Sequence, residues 1–181
     1  ISFQLGATTT VETPGTAVGS FNINPIDDGI HGLAKIPVLR FKIHDHGDDG
    51  LATKIDQIQV AIVGAPGNYA ADDIAYAELV ADGTTIVRTV TGVDNITNSA
   101  IIFGSAPDGN SAAGLTSLAN NATVEYTVNI YMNAGKLRAQ EGNTYTFSVD
   151  GSKIGVDTGI SSNMDVGTSS NIQAIGTIEV T

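Results

Sequence analysis

From Ala122 to Met132 every second residue is apolar. Ala122, Val124, Tyr126, Val128, Ile130 and Met132 alternate with Thr123, Glu125, Thr127, Asn129 and Tyr131. A repeat of two belongs to a strand with one face in a core, because successive side chains leave the backbone on opposite sides. The same repeat recurs elsewhere. Leu39, Phe41 and Ile43 face one way, with Arg40, Lys42 and His44 on the other side. Ile58, Val60 and Ile62 form another strand, Ile101-Ile102-Phe103 a short buried run, and Tyr145, Phe147 and Val149 follow in phase. Ile172, Ala174, Ile178 and Val180 predict a last strand, bulged at Gly176. Asp82-Gly83 between Leu79-Val80 and Ile86-Val87 is a hairpin signal, since both residues tolerate the positive φ of a tight turn. The best helical stretch, Tyr69 to Val80, has no clean 3.6-residue stripe, so at most a single helical turn is expected there. About nine or ten strands separated by turns predict an all-β fold, an antiparallel β-sandwich of immunoglobulin-like or jelly-roll kind.

The first residues pose a different problem. Ile1, Phe3, Leu5 and Ala7 alternate with Ser2, Gln4, Gly6 and Thr8, and no two-residue hairpin turn follows them. The next punctuation is Pro14-Gly15. An apolar strand without a local partner must pair with an edge, in its own sheet or in a neighbour's. Periodicity leaves both edges open, and residues 1–13 are expected to be a free N-terminal strand. Residues 14–181 are expected to form one sandwich domain. The chain opens at Ile without a charged and apolar leader, as expected of a secreted protein with its signal segment removed or of a sequence cut from a longer one.

Charge narrows the partners. Nineteen acidic against eight basic residues give −11, which leaves no basic patch for nucleic acid and favours divalent cations. No stretch reaches the roughly 18 apolar residues of a membrane-spanning helix. The absence of cysteine excludes disulfides, thiolate metal sites and a cysteine nucleophile. Two N-x-T triplets begin at Asn95 and Asn121.

The densest polar run is His44-Asp45-His46-Gly47-Asp48-Asp49-Gly50, with Asp56 further on. Hard cations such as Ca²⁺ take several carboxylate and carbonyl oxygens, and a glycine lets a loop turn around the ion. Numbered from Asp45, Gly50 takes the turn position, Asp49 the fifth and Asp56 the twelfth. The match is partial, and strand-like flanks exclude an EF-hand. Asp45, Asp48, Asp49 and Asp56 are thus Ca²⁺ candidates, against the ordinary reading of a hairpin loop whose carboxylates cap backbone N–H groups. Asp27 and Asp28, near His31, form a second candidate loop that also reads as a turn. His44 and His46 lie on one face and are able to meet at a transition metal, but sharing that face with Arg40 and Lys42 reads as a solvated surface. No nucleophile-elbow, zinc-protease, phosphate-loop or dinucleotide motif occurs, and no enzyme activity or small-molecule substrate is expected.

The segments 1–21, ISFQLGATTTVETPGTAVGSF, and 37–60, PVLRFKIHDHGDDGLATKIDQIQV, together with the strand Asn121 to Val128, carry a resemblance over essentially the whole chain. The chain resembles the cannula proteins of hyperthermophilic archaea, secreted subunits that build extracellular tubules. That resemblance implies a jelly-roll-like subunit, polymerisation promoted by calcium and strand exchange between neighbours, hence a homopolymer built through heterologous contacts. Only the resemblance makes residues 1–13 a donor strand, with Ile1, Phe3 and Leu5 at a subunit interface. It does not assign the calcium ligands, which are chosen here from spacing alone. Segment 41–55 also resembles extracellular β-sandwich modules of bacterial surface proteins, so a carbohydrate-binding or adhesin module is the alternative function.

Overall fold

A computed structural model describes residues 9–18, 21–23, 35–47, 50–105, 114–133, 142–156 and 174–180. Twelve strands run through them: β1 (Thr9–Glu12), β2 (Phe21–Ile23), β3 (Ile36–Asp45), β4 (Thr53–Ala65), β5 (Ile74–Ala81), β6 (Thr85–Thr91), β7 (Ala100–Gly104), β8 (Thr116–Leu118), β9 (Thr123–Met132), β10 (Thr144–Val149), β11 (Ile154–Val156) and β12 (Ala174–Val180). One sheet has the order β1-β3-β9-β5-β6. The other runs β11-β4-β10-β12-β2, with β7 and β8 also on β4. All pairings are antiparallel except β12 with β2, which is parallel.

Both sheets contribute to one buried cluster. Phe41, Tyr126 and Val128 come from the first sheet, and Ile58, Val60, Phe103 and Phe147 from the second. The predicted all-β sandwich is therefore the observed fold, and the alternating residues of β3, β4, β9 and β10 point as their spacing requires. The Asp82-Gly83 turn joins β5 to β6 with φ of 48° and 75°, the paired positive values of a tight hairpin. The stretch from Tyr69 holds one helical turn, α1 (Ala70–Asp73), before the chain extends into β5.

Three details differ from the sequence reading. β4 extends the expected strand around Ile58, Val60 and Ile62 to 13 residues, longer than β9 with 10. Its alternation breaks at Asp56, where Ile55 and Ile58 both face the core and the pairing with β11 shifts register. No bulge occurs at Gly176; β12 runs opposite β10 in unbroken register, with Gly176 across from Phe147. Most important, Thr9 to Glu12 pair with β3 in the chain's own sheet. The apolar phase of residues 1–7 continues into β1, since Thr9 and Val11 are buried. Residues 1–8, with Ile1, Phe3 and Leu5, lie outside the described residues.

The core contains phenols whose ionisation is opposed by burial. Tyr126 stacks on Phe41 at 5.6 Å, and burial pushes its pKa up to about 12. Burial and the adjacent Asp73 carboxylate push the Tyr145 phenol up too; its hydroxyl donates to Asp73 Oδ2 at 2.6 Å. Above pH 10 the unfolded chain sheds phenol protons that the folded chain retains. Stability is thus unaffected by these groups below pH 10 and declines between pH 10 and about 12, by about 1.4 kcal/mol per pH unit for Tyr126. Urea melts across that interval are expected to track the decline. Tyr145→Phe deprives the buried Asp73 carboxylate of a donor, and the same melts at neutral pH are expected to register a loss of about 1–3 kcal/mol.

Candidate functional site

The polar run after β3 divides into two environments. From Leu39 on, odd positions of β3 turn to the core and even positions outward, so Asp45 and His44 part ways at the strand's end. Asp45 is only 2% exposed. Its Oδ1 accepts from the Gly47 N–H at 2.8 Å, and its Oδ2 accepts from the Thr53 N–H at 3.2 Å and the Thr53 hydroxyl at 2.9 Å. The Thr53 proton is committed to the carboxylate, so the Thr9 hydroxyl, 2.6 Å away, donates to Thr53. One carboxylate thus ties the loop and the first residues of β1 and β4 together.

The loop also docks on the β8–β9 connection. The Gly50 N–H donates to Asn120 Oδ1 at 3.2 Å, and a Cβ at Gly47 would run into that same amide oxygen. Asp48 and Asp49 lie outside the described residues, as do Asp27, Asp28 and His31. Asp56 is buried elsewhere, in the irregular step of β4 where its edge partner changes from β8 to β7. Its Oδ1 is near Gly114, and a Cβ at Gly104, whose φ is +84°, would fall on the Asp56 carbonyl oxygen. The two carboxylates thus have different described neighbours, Gly47 and Thr53 for Asp45 and Gly114 for Asp56.

What it does gather is on the outer face. The register sets Thr10 opposite His44 and Glu12 opposite Lys42, and alternate residues of antiparallel strands meet across the pair and along its diagonals. His44 Nδ1 is 3.1 Å and His46 Nε2 is 3.4 Å from the same Glu12 Oε1. Thr10 Oγ1 adds contacts of 2.8 Å to His46 Nε2 and 3.3 Å to Glu12 Oε1. The two imidazoles lie 3.9 Å apart between ring centroids, tilted by 36°. Glu12, His44 and His46 are the grouping of metal-ligating side chains found among the described residues. The spacing of His44 and His46 brought the imidazoles to one face. Glu12 escaped sequence reasoning, because its partnership depends on the β1–β3 register.

Further along this face Arg40 lies between Glu125, at 3.6 Å, and the Thr127 hydroxyl, at 3.3 Å, and reaches the Thr16 carbonyl at 3.3 Å. The Gly15 N–H donates to Glu125 Oε2 at 3.4 Å. The segment after Pro14 is thus laid across β3 and β9 by polar contacts. Farther over, Tyr76 stacks on Tyr131 at 4.0 Å, and the Tyr131 hydroxyl donates to Glu78 at 3.0 Å. At the β6–β7 seam a cleft of about 310 Å³ is lined by Arg88, Thr91, Asn95 and Ser105 among others, and the described residues bring no carboxylate or imidazole to its lining. Of the two sequon asparagines, Asn121 is exposed in a turn at φ 59°, whereas Asn95 donates its amide to the Thr91 carbonyl at 3.2 Å.

No helix among the described residues is long and apolar enough to cross a membrane. Comparison with protein-family models and with curated proteins gives no match.

The hydrogen bonds of Asp45 give a measurable expectation. Asp45→Ala leaves two buried N–H groups and the Thr53 hydroxyl without their acceptor, so a loss of about 3 kcal/mol is expected in urea unfolding. Asp45→Asn keeps one acceptor oxygen and is expected to lose less.

Proposed function

We propose that this chain is a structural subunit that self-assembles outside the cell, into tubules or filaments, by calcium-promoted donor-strand exchange. The observation that carries this reading is the position of β1. It ends the order β1-β3-β9-β5-β6 among the described strands, and the alternating segment with Ile1, Phe3 and Leu5 leads directly into it in the sequence. An extended segment of this kind can join the sheet edge of a neighbouring subunit by strand addition. Donor and acceptor surfaces differ, so the contact repeats from subunit to subunit rather than closing on itself. Because Thr9 to Glu12 are engaged with β3, the donor in this proposal is residues 1–8 rather than 1–13.

Calcium would lessen repulsion between subunits that each carry −11. With Asp45 occupied in holding its loop, Asp48 and Asp49 are the proposed ligands there, and Asp27 and Asp28 supply a second loop.

One observation favours the other reading, a monomeric adhesin or carbohydrate-binding module: the β1 part of the expected donor strand pairs at home. Deletion of residues 1–8, which spares the Thr9–Thr53 hydrogen bond, separates the two. The full chain is expected to scatter light and show filaments by electron microscopy on adding CaCl2, while the truncated chain stays folded and monomeric. Scattering that rises equally for the truncated chain sinks strand donation. A full chain that stays monomeric in excess calcium yet retains glycan establishes the module.

A further inference from the structure

We infer that Glu12, His44 and His46 form a binding site for a zinc-class transition-metal ion that clamps edge strand β1 onto β3. This site is independent of the calcium loop and of the assembly proposal. It uses the outward residues of the sheet, whereas the Asp45 carboxylate points inward.

Distances argue first. Tetrahedral zinc with bonds of about 2.0–2.1 Å sets its ligand atoms about 3.3 Å apart. The two imidazole nitrogens stand 3.1 and 3.4 Å from Glu12 Oε1, so the carboxylate edges of such a tetrahedron already exist. One ligand atom from each of the three residues lies within 4.8 Å of the others. Without metal, these atoms hold one another through shared protons, and an ion would replace the protons at the same meeting point.

Chemistry selects the ion. Two imidazoles and one carboxylate suit zinc, cobalt, nickel or copper, while calcium and magnesium seek sets made of oxygen. Three protein ligands leave a fourth position open, and this one faces solvent, since the His46 side chain is 41% exposed. The Thr10 hydroxyl contacts His46 Nε2, the ligand nitrogen itself, so it gives up that hydrogen bond when an ion takes the lone pair.

The placement also gives the ion a mechanical role. Glu12 belongs to β1, whereas His44 belongs to β3 and His46 follows it directly. β1 has four residues and pairs with β3 alone among the described strands, so an ion bridging the two would fasten the shortest element of this sheet. An ion that binds only when β1 is docked stabilises the docked form in proportion to its occupancy.

The test is calorimetric titration of the full chain with ZnCl2, beside His44→Ala, His46→Ala and Glu12→Gln. One ion per chain is expected, bound at least about tenfold more weakly by each variant. Excess CaCl2 is expected not to displace it, and amide exchange over Thr9–Glu12 is expected to slow when zinc is added. No binding, or equal binding by a His44→Ala/His46→Ala double variant, overturns the site. Displacement by calcium overturns the ligand assignment, and unchanged exchange overturns the clamp. Should a variant fail to fold, CoCl2 added to the unaltered chain decides: visible bands of tetrahedral cobalt that vanish with ZnCl2 are expected, and their absence overturns the proposal.

Discussion

A buried carboxylate with three donors around it organises the end of the sandwich from which the candidate site grows. Asp45 fixes the loop through Gly47, the start of β4 through Thr53 and, one hydroxyl further, the start of β1 through Thr9. An ionised group taken out of water is tolerated only when its lone pairs are filled, and here the filling partners come from separate strands. The arrangement selects one register for β1 on β3. A slip by one residue would bring Thr10 to the buried side and turn Val11 to solvent. The convergence of Glu12 with His44 and His46 on the outer face is the far side of that same choice.

The long strands solve a second problem, that of backbone groups buried on both edges. β4 satisfies its thirteen residues with four shorter partners, β7 and β8 along one edge and β10 and β11 along the other. Asp56 sits where one edge passes from β8 to β7 and the register with β11 shifts on the other, and the glycine at 104 permits the close approach there. β9, central in the other sheet, is buried from Tyr126 to Ile130 on both faces, with Arg40 lying over its Thr127. A polar outer face is thereby kept dry in part by long charged side chains, whose apolar stems do the covering.

Much of this was legible in the sequence, for definite reasons. Strand faces follow from local alternation, so Phe41, Ile58, Val128 and Phe147 could be placed inward without knowing any partner. The Asp82-Gly83 turn was equally local. Registers are long-range and left no such trace: nothing in the sequence pairs Glu12 with His44, or divides β4 among four neighbours. The acidic run illustrates the same limit. Spacing put Asp45 and Asp56 at the ends of one loop motif, but an irregular step in β4 sends Asp56 into a different neighbourhood.

The parallel pairing of β12 with β2 bears on how the chain reaches this state. Phe21 to Ile23 lie against Ile178 to Val180, so an early strand rests on one at the other end of the described chain. A ribosome releases β2 long before its partner exists. Until then β2 must wait as an open segment, and closing so wide a loop makes for slow folding. β12 therefore completes the second sheet, and its removal would leave β2 without the strand it pairs with.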